Sequence, residues 1–231
     1  MYTLSNVLNQ NHIQNNPERV IEYANKNNTQ IFQYSLTEPT HNQEIVVKSD
    51  QRLTLCKLDK NVNDDSDDNL LLNLFQQQNS YMESTDLCKI ADYVIFYEST
   101  EQIYAIIAEL KTGNWTSSKG KTKLPYKFIN TTFLVEYWVR VYNNYILTRS
   151  KDPDIKEKDL KIINVLFDFD KDKIAKRHRM KKNLERVIQG FTGRCDDICS
   201  ESEINYHFLN SEREIRLDEY ILTRLFGSIK I

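Results

Sequence analysis

The chain has 231 residues, 40% of them hydrophobic and 28% charged, which reads as a soluble globular protein long enough to bury a real core. A formal net charge of -2 excludes a protein that binds nucleic acid through overall basicity, so any such contact must come from local patches. No apolar run approaches the length of a membrane span, so no membrane partner is expected.

The first segment, residues 1–60, opens with a polar, Asn-rich lead. Asn16, Pro17 and Glu18 supply an N-cap, a first-turn proline and a first-turn acid, which predicts a short helix over Pro17 to Asn25. Gln30 to Leu36, Glu44 to Lys48 and Arg52 to Leu58 read as strands, with Ser49-Asp50-Gln51 as a turn, together a small sheet ahead of a larger core. Cys56, Cys88, Cys195 and Cys199 occur without a secretory signal, so reduced thiols and a cytoplasmic location are expected.

Residues 61–69 form an acidic linker. Asp59, Asn61 and Asn63 match the first ligand positions of an EF-hand loop, but Asp64 stands where that loop needs glycine and Leu70 where it needs a bidentate Glu. Leu70 to Gln78, with Leu71, Leu74 and Phe75 at core spacing, predicts a helix.

Two runs rich in Val, Ile, Phe and Tyr follow, Ala91 to Tyr97 and Ile103 to Lys111, separated by Glu98-Ser99-Thr100-Glu101-Gln102. They read as a β-hairpin. Alternation puts Asp92, Val94 and Phe96 on one face of the first strand and Ala105, Ile107, Glu109 and Lys111 on one face of the second. Closure about Thr100 and Glu101 pairs Tyr97 with Tyr104, Val94 with Ile107 and Asp92 with Glu109, bringing the two carboxylates to one face with Cβ atoms roughly 5 Å apart. Carboxylates that close repel unless something positive sits between them, and a divalent cation held by their oxygens is the natural candidate.

Asp92 on one strand and Glu109-Leu110-Lys111 on the next resemble the PD-(D/E)xK nuclease superfamily. Ala91 stands where that motif has its proline. The resemblance implies a restriction-endonuclease-like core, a mixed central sheet flanked by helices in the α/β (α+β) class. It further implies Mg²⁺-dependent phosphodiester hydrolysis, with Mn²⁺ as a substitute, Asp92 and Glu109 as metal ligands and Lys111 beside the attacking water. Members of the superfamily often place a further acid on the helix before the hairpin, for which Glu83 and Asp86 are the nearest candidates and Glu83 is taken here. Some carry a Gln or Lys on the helix after it, a place that Lys127 occupies here.

Beyond Lys111, Thr112 to Pro125 reads as a polar loop whose Lys119, Lys121 and Lys123 are placed to meet backbone phosphates. Tyr126 to about Leu147 predicts a long helix, with Leu134, Val135, Trp138, Val141, Tyr142 and Tyr145 as its core stripe. Asp152-Pro153-Asp154 breaks the chain, and Lys161 to Phe169 predicts a further strand. Strand, strand, helix, strand is the order the resemblance requires. Residues 171–231 follow as a basic helix and carboxy-terminal extension packed with the core of residues 70–170. In it Lys176, Arg177, Arg179, Lys181 and Lys182 make the strongest phosphate-binding candidate. Cys195 and Cys199 with His207 lack the spacing of a zinc site, and the last thirty residues read as a helix and a terminal strand or packing tail.

The expected activity is a metal-dependent endonuclease acting on DNA, with RNA as the other nucleic-acid substrate, in restriction or in prokaryotic antiviral defence. A protein that binds nucleic acid or a partner on the same fold without catalysis is the alternative, as is a nuclease subunit that needs a sensor partner. A homodimer would ease a two-strand cut.

Overall fold

The computed structural model describes residues 4, 18–24, 27–38, 43–58, 90–111, 118–149, 156–169, 203–208 and 214–217. The acidic linker, the helix expected over residues 70–78, Glu83, Asp86, the basic stretch of residues 171–186 and the remaining cysteines other than Cys56 lie outside those residues.

Among the described residues, nine strands and one helix make a mixed α+β architecture. Strands β1 (Glu18–Ala24), β2 (Asn27–Glu38), β3 (Gln43–Ser49) and β9 (Glu214–Leu217) form one sheet in the order β1-β2-β3-β9. Strands β4 (Thr54–Lys57), β5 (Tyr93–Glu98), β6 (Gln102–Lys111), β7 (Asp159–Asp168) and β8 (Glu203–Phe208) form the second, in sequence order. Here β4, β5 and β6 run antiparallel, while β7 and β8 run parallel to β6. A parallel neighbour needs a crossover, and helix α1 (Ser118–Arg149) supplies it between β6 and β7.

The expected hairpin register holds. Tyr97 pairs with Tyr104 and Val94 with Ile107, and Ser99 closes the turn by accepting from Gln102 N through Oγ at 3.0 Å. Interior residues of β6 are buried on both faces, the reason its sequence reads as one apolar run rather than an alternation. Val94, Phe96, Ala105 and Ile107 pack beneath α1, against Leu124, Phe128, Val135, Val139 and Tyr142. Tyr93, Ile95, Tyr104, Ile106 and Leu110 point the other way and pack against Tyr34, Leu36, Ile45 and Val47 of the first sheet. The central sheet therefore has a helix on one face and a sheet on the other, where the sequence had led to helices as the flanking layer.

Two tyrosines stitch the sheets together with both functions of their hydroxyls satisfied. Tyr34 OH accepts from Leu53 N at 2.7 Å and donates to Leu53 O at 3.1 Å. Tyr93 OH accepts from Thr37 N at 3.0 Å and donates to Thr37 O at 2.9 Å. Each phenol carries a large apolar ring into the seam while its polar tip meets backbone, as burial of such groups requires.

Several expectations are corrected. Pro17 to Asn25 is not a helix, because Glu18–Ala24 is β1, paired antiparallel with β2 from Glu18 opposite Gln33 to Ala24 opposite Asn27. Val20, Ile21 and Tyr23 favour a strand, and a helix that short gains too few internal hydrogen bonds to compete with a full ladder. The loop expected up to Pro125 is helical from Ser118, so Lys119, Lys121 and Lys123 belong to the first turns of α1. Proline there removes one ladder bond, which the burial of Leu124 and Phe128 on either side offsets. Val141 and Tyr145, expected in the core stripe, are exposed, whereas Leu134, Val135 and Tyr142 are buried. From residue 201 onward the described residues form strands β8 and β9, while the helix and terminal strand or tail expected near the chain's end lie outside them. No helix of the described residues is long and apolar enough to cross a membrane.

Candidate active site at the end of the central hairpin

Asp92 stands one residue before β5, at the end of the central sheet where β6 also finishes. Its backbone carbonyl accepts from Leu58 N at 2.9 Å, tying it to the residue after β4. Its side chain continues the β5–β6 ladder past Tyr93, with Oδ2 accepting from Leu110 N at 2.7 Å. Held from both sides in this way, the carboxylate has little freedom, and Oδ1 is left to face α1.

Ala91 explains the departure from the motif's proline. Its N–H donates to Thr131 Oγ1 at 2.8 Å, and that hydroxyl donates in turn to Lys127 O at 2.7 Å. A proline at position 91 would have no N–H to give. The chain uses that donor to fasten α1 to the start of β5, one turn from Lys127.

Glu109 lies on the α1 face of β6 with a side chain 0% exposed. Lys127 Nζ reaches down from α1 to within 2.8 Å of Glu109 Oε1 and 3.2 Å of Asp92 Oδ1, so one ammonium bridges the two carboxylates. Lys111, two residues further along β6, also meets Glu109 Oε1. Both lysines sit at ion-pair distance from Oε1, and Oε2 has no hydrogen-bond partner among the described residues. Burial, then the charge of Asp92, pushes the Glu109 carboxyl up to about 7, with Lys127 and Lys111 opposing.

The side chains of Asp92, Lys127 and Lys111 are 16%, 15% and 30% exposed, so the site opens outward past Lys111 with Glu109 as its floor. Asp92, Glu109 and Lys111 are thus brought together as the sequence predicts. Lys127 joins them with the most central position of the four. Its one signal in the sequence is its place on the helix that follows the hairpin. The side chains of Lys119, Lys121 and Lys123, and all of Glu83, Lys176, Arg177, Arg179, Lys181 and Lys182, lie outside what the structure describes.

Among the described residues the site holds two carboxylates, and no group of three His, Cys, Asp or Glu side chains gathers there to hold a metal. The donors present nonetheless suit a hard cation. They are carboxylate oxygens, and one of them, Glu109 Oε2, is buried without a partner, an arrangement whose cost a cation would relieve.

The far end of the hairpin is pinned separately. Glu98 Oε1 accepts from Tyr142 OH of α1 and from Lys158 Nζ ahead of β7, the latter at 2.8 Å, while Lys158 Nζ also reaches Ser99 O at 2.9 Å. Desolvation, then the hydrogen bond to Glu98, pushes the Tyr142 phenol well up. Every charge in this second cluster is paired, so it reads as a clasp.

No protein-family model, curated protein or solved structure matches the chain.

Proposed function

We propose that this protein is a Mg²⁺-dependent endodeoxyribonuclease on a restriction-endonuclease-like core, acting in restriction or prokaryotic defence against foreign DNA. One observation carries the reading. Asp92 and Glu109, from adjacent strands, converge on one face of the central sheet with Lys111 beside them and a single ammonium between them. Hairpin, helix and parallel strand also follow in the order that the resemblance requires.

In this reading Asp92 and Glu109 would hold the cation through carboxylate oxygens, Glu109 Oε2 being the one without a hydrogen-bond partner among the described residues. When bound, Mg²⁺ polarises the scissile phosphate and lowers the pKa of a coordinated water. Glu109, at the floor, fixes depth, and Asp92, clamped by Leu110 N, fixes direction. Lys111, the most exposed of the four, meets the phosphate side of the site, where it orients the attacking water and offsets the charge that develops in the transition state. Lys127 holds the carboxylates at their spacing and supplies a second cation on the α1 side. Incubating the purified chain with plasmid and Mg²⁺ tests the proposal: nicked and linear products are expected, and their loss in Glu109→Ala ties them to this site.

A second reading is favoured by the charge balance, because two lysines already neutralise the two carboxylates as a structural ion-pair network does. On it the chain binds nucleic acid or a partner without cleaving, or cleaves only when assembled with a sensor subunit. Cleavage that appears only on adding a partner separates these.

A further inference from the structure

Helix α1 is apolar on two sides. Val135, Val139 and Tyr142 are buried against the central sheet, while on the outer side Phe133, Tyr137, Val141 and Leu147 are 38%, 65%, 39% and 39% exposed. Scattered exposed apolar residues need no explanation, but a row of them along one helix face marks an interaction surface. Glu136 and Arg140 lie on the same side one turn apart, close enough that the arginine's charge acts on the glutamate.

We infer that the outer face of α1 is a self-association surface, packing antiparallel against the same face of a second copy about a two-fold axis midway between Glu136 and Arg140.

Two independent features agree on that axis. First, it sets Glu136 opposite Arg140 of the partner subunit, and symmetry repeats the pair, so the charges are self-complementary. Second, the axis stands level with residue 138. It carries the row formed by Phe133, Tyr137 and Val141 of the partner subunit to the levels of residues 143, 139 and 135. Those levels fall between the members of the row on the first copy, about 3 Å from each along the axis. Ridge therefore drops into groove, as packing of i±4 rows requires, whereas an axis level with Tyr137 would set the row's outer members against each other. An unrelated partner would have no reason to place the charges and the ridge about one point.

One helix face against another covers less than the roughly 800 Å² per partner of a tight complex, so the dimer is reversible and concentration-dependent. The inference does not rest on the nuclease reading, since association is measured without substrate. If both hold, two sites are delivered together, as cutting both strands of a duplex needs.

Sedimentation velocity of the full chain, from about 1 to about 200 μM, tests it. Growth of a dimer with concentration is expected, and Tyr137→Glu should weaken it about tenfold or more while leaving the circular dichroism spectrum unchanged. Glu136→Arg and Arg140→Glu should each weaken it, and the two together should restore it, because the exchanged charges again meet across the axis. A chain that stays monomeric over the whole range overturns the inference; so does a dimer indifferent to Tyr137→Glu, or one that the double exchange fails to rescue.

Discussion

Glu109→Gln tests the electrostatics of the site most directly. The carboxyl is pushed from an ordinary 4.5 up to about 7, chiefly because its side chain is fully buried and next because Asp92 is charged beside it. Between those two values the folded chain holds a proton that the unfolded chain has released, so stability falls as pH rises through the window. The contribution is fully present below about pH 4.5 and gone above about pH 7, and its size is about 3 kcal/mol at 1.36 kcal/mol per unit. Glutamine has nearly the same shape and no proton to lose. Guanidinium denaturation in EDTA, at intervals from pH 4.5 to pH 8, should therefore show the native chain losing about 3 kcal/mol relative to Glu109→Gln across that range. Mg²⁺ at the upper end should restore part of the loss, since a ligand that binds only the folded state stabilises it. Parallel stability profiles for the two proteins in EDTA would refute the reasoning.

In cleavage and thermal-shift assays, Asp92→Ala and Glu109→Ala should both abolish turnover and most of the Mg²⁺-induced rise in melting temperature. Lys111→Ala should keep that thermal response while losing turnover, because it removes a charge and not a ligand. Lys127→Met leaves two carboxylates facing each other; it should lower stability in EDTA by roughly 3 kcal/mol at pH 8 and by less at pH 5, where Glu109 takes up a proton, as thermal denaturation at both values will show. Replacing Lys176, Arg177, Arg179, Lys181 and Lys182 together with Gln should weaken DNA binding for every sequence and flatten its dependence on salt, measured by fluorescence anisotropy, with little change in melting temperature.

The central hairpin was legible because its information is local. A short turn fixes the register, the register fixes the faces, and a charge inside an apolar strand then marks a site rather than a surface. Glu109 illustrates the point: nothing in an Ile-Ile-Ala-Glu-Leu stretch tolerates solvent on either side, so its carboxylate had to be buried with partners. The helix α1 and strand β7 were legible for the same reason, through long periodic patterns. What failed was decided by contacts distant in sequence. The cap signals at Asn16 to Glu18 are worth about 1 kcal/mol, less than a ladder with β2 returns. The covering of the second face by the sheet of β1, β2, β3 and β9 depends on Leu217 meeting a strand that ends at Ser49, which no window of sequence contains.

The site itself divides along the same line. Asp92, Glu109 and Lys111 follow from strand alternation, whereas Lys127 follows only from where α1 docks. That docking is fixed at both ends of the hairpin, by Ala91 N–H on Thr131 near the carboxylates and by Glu98 on Tyr142 at the turn. With two anchors α1 can neither slide nor rotate over the sheet without breaking a hydrogen bond at one end. The ammonium of Lys127, one turn from Thr131, is therefore placed by backbone geometry and not merely drawn in by charge. Spacing between Asp92 and Glu109 is consequently set by three elements at once, β5, β6 and α1. A site built in that way holds its carboxylates close against their own repulsion, the condition under which a divalent cation gains most from binding them.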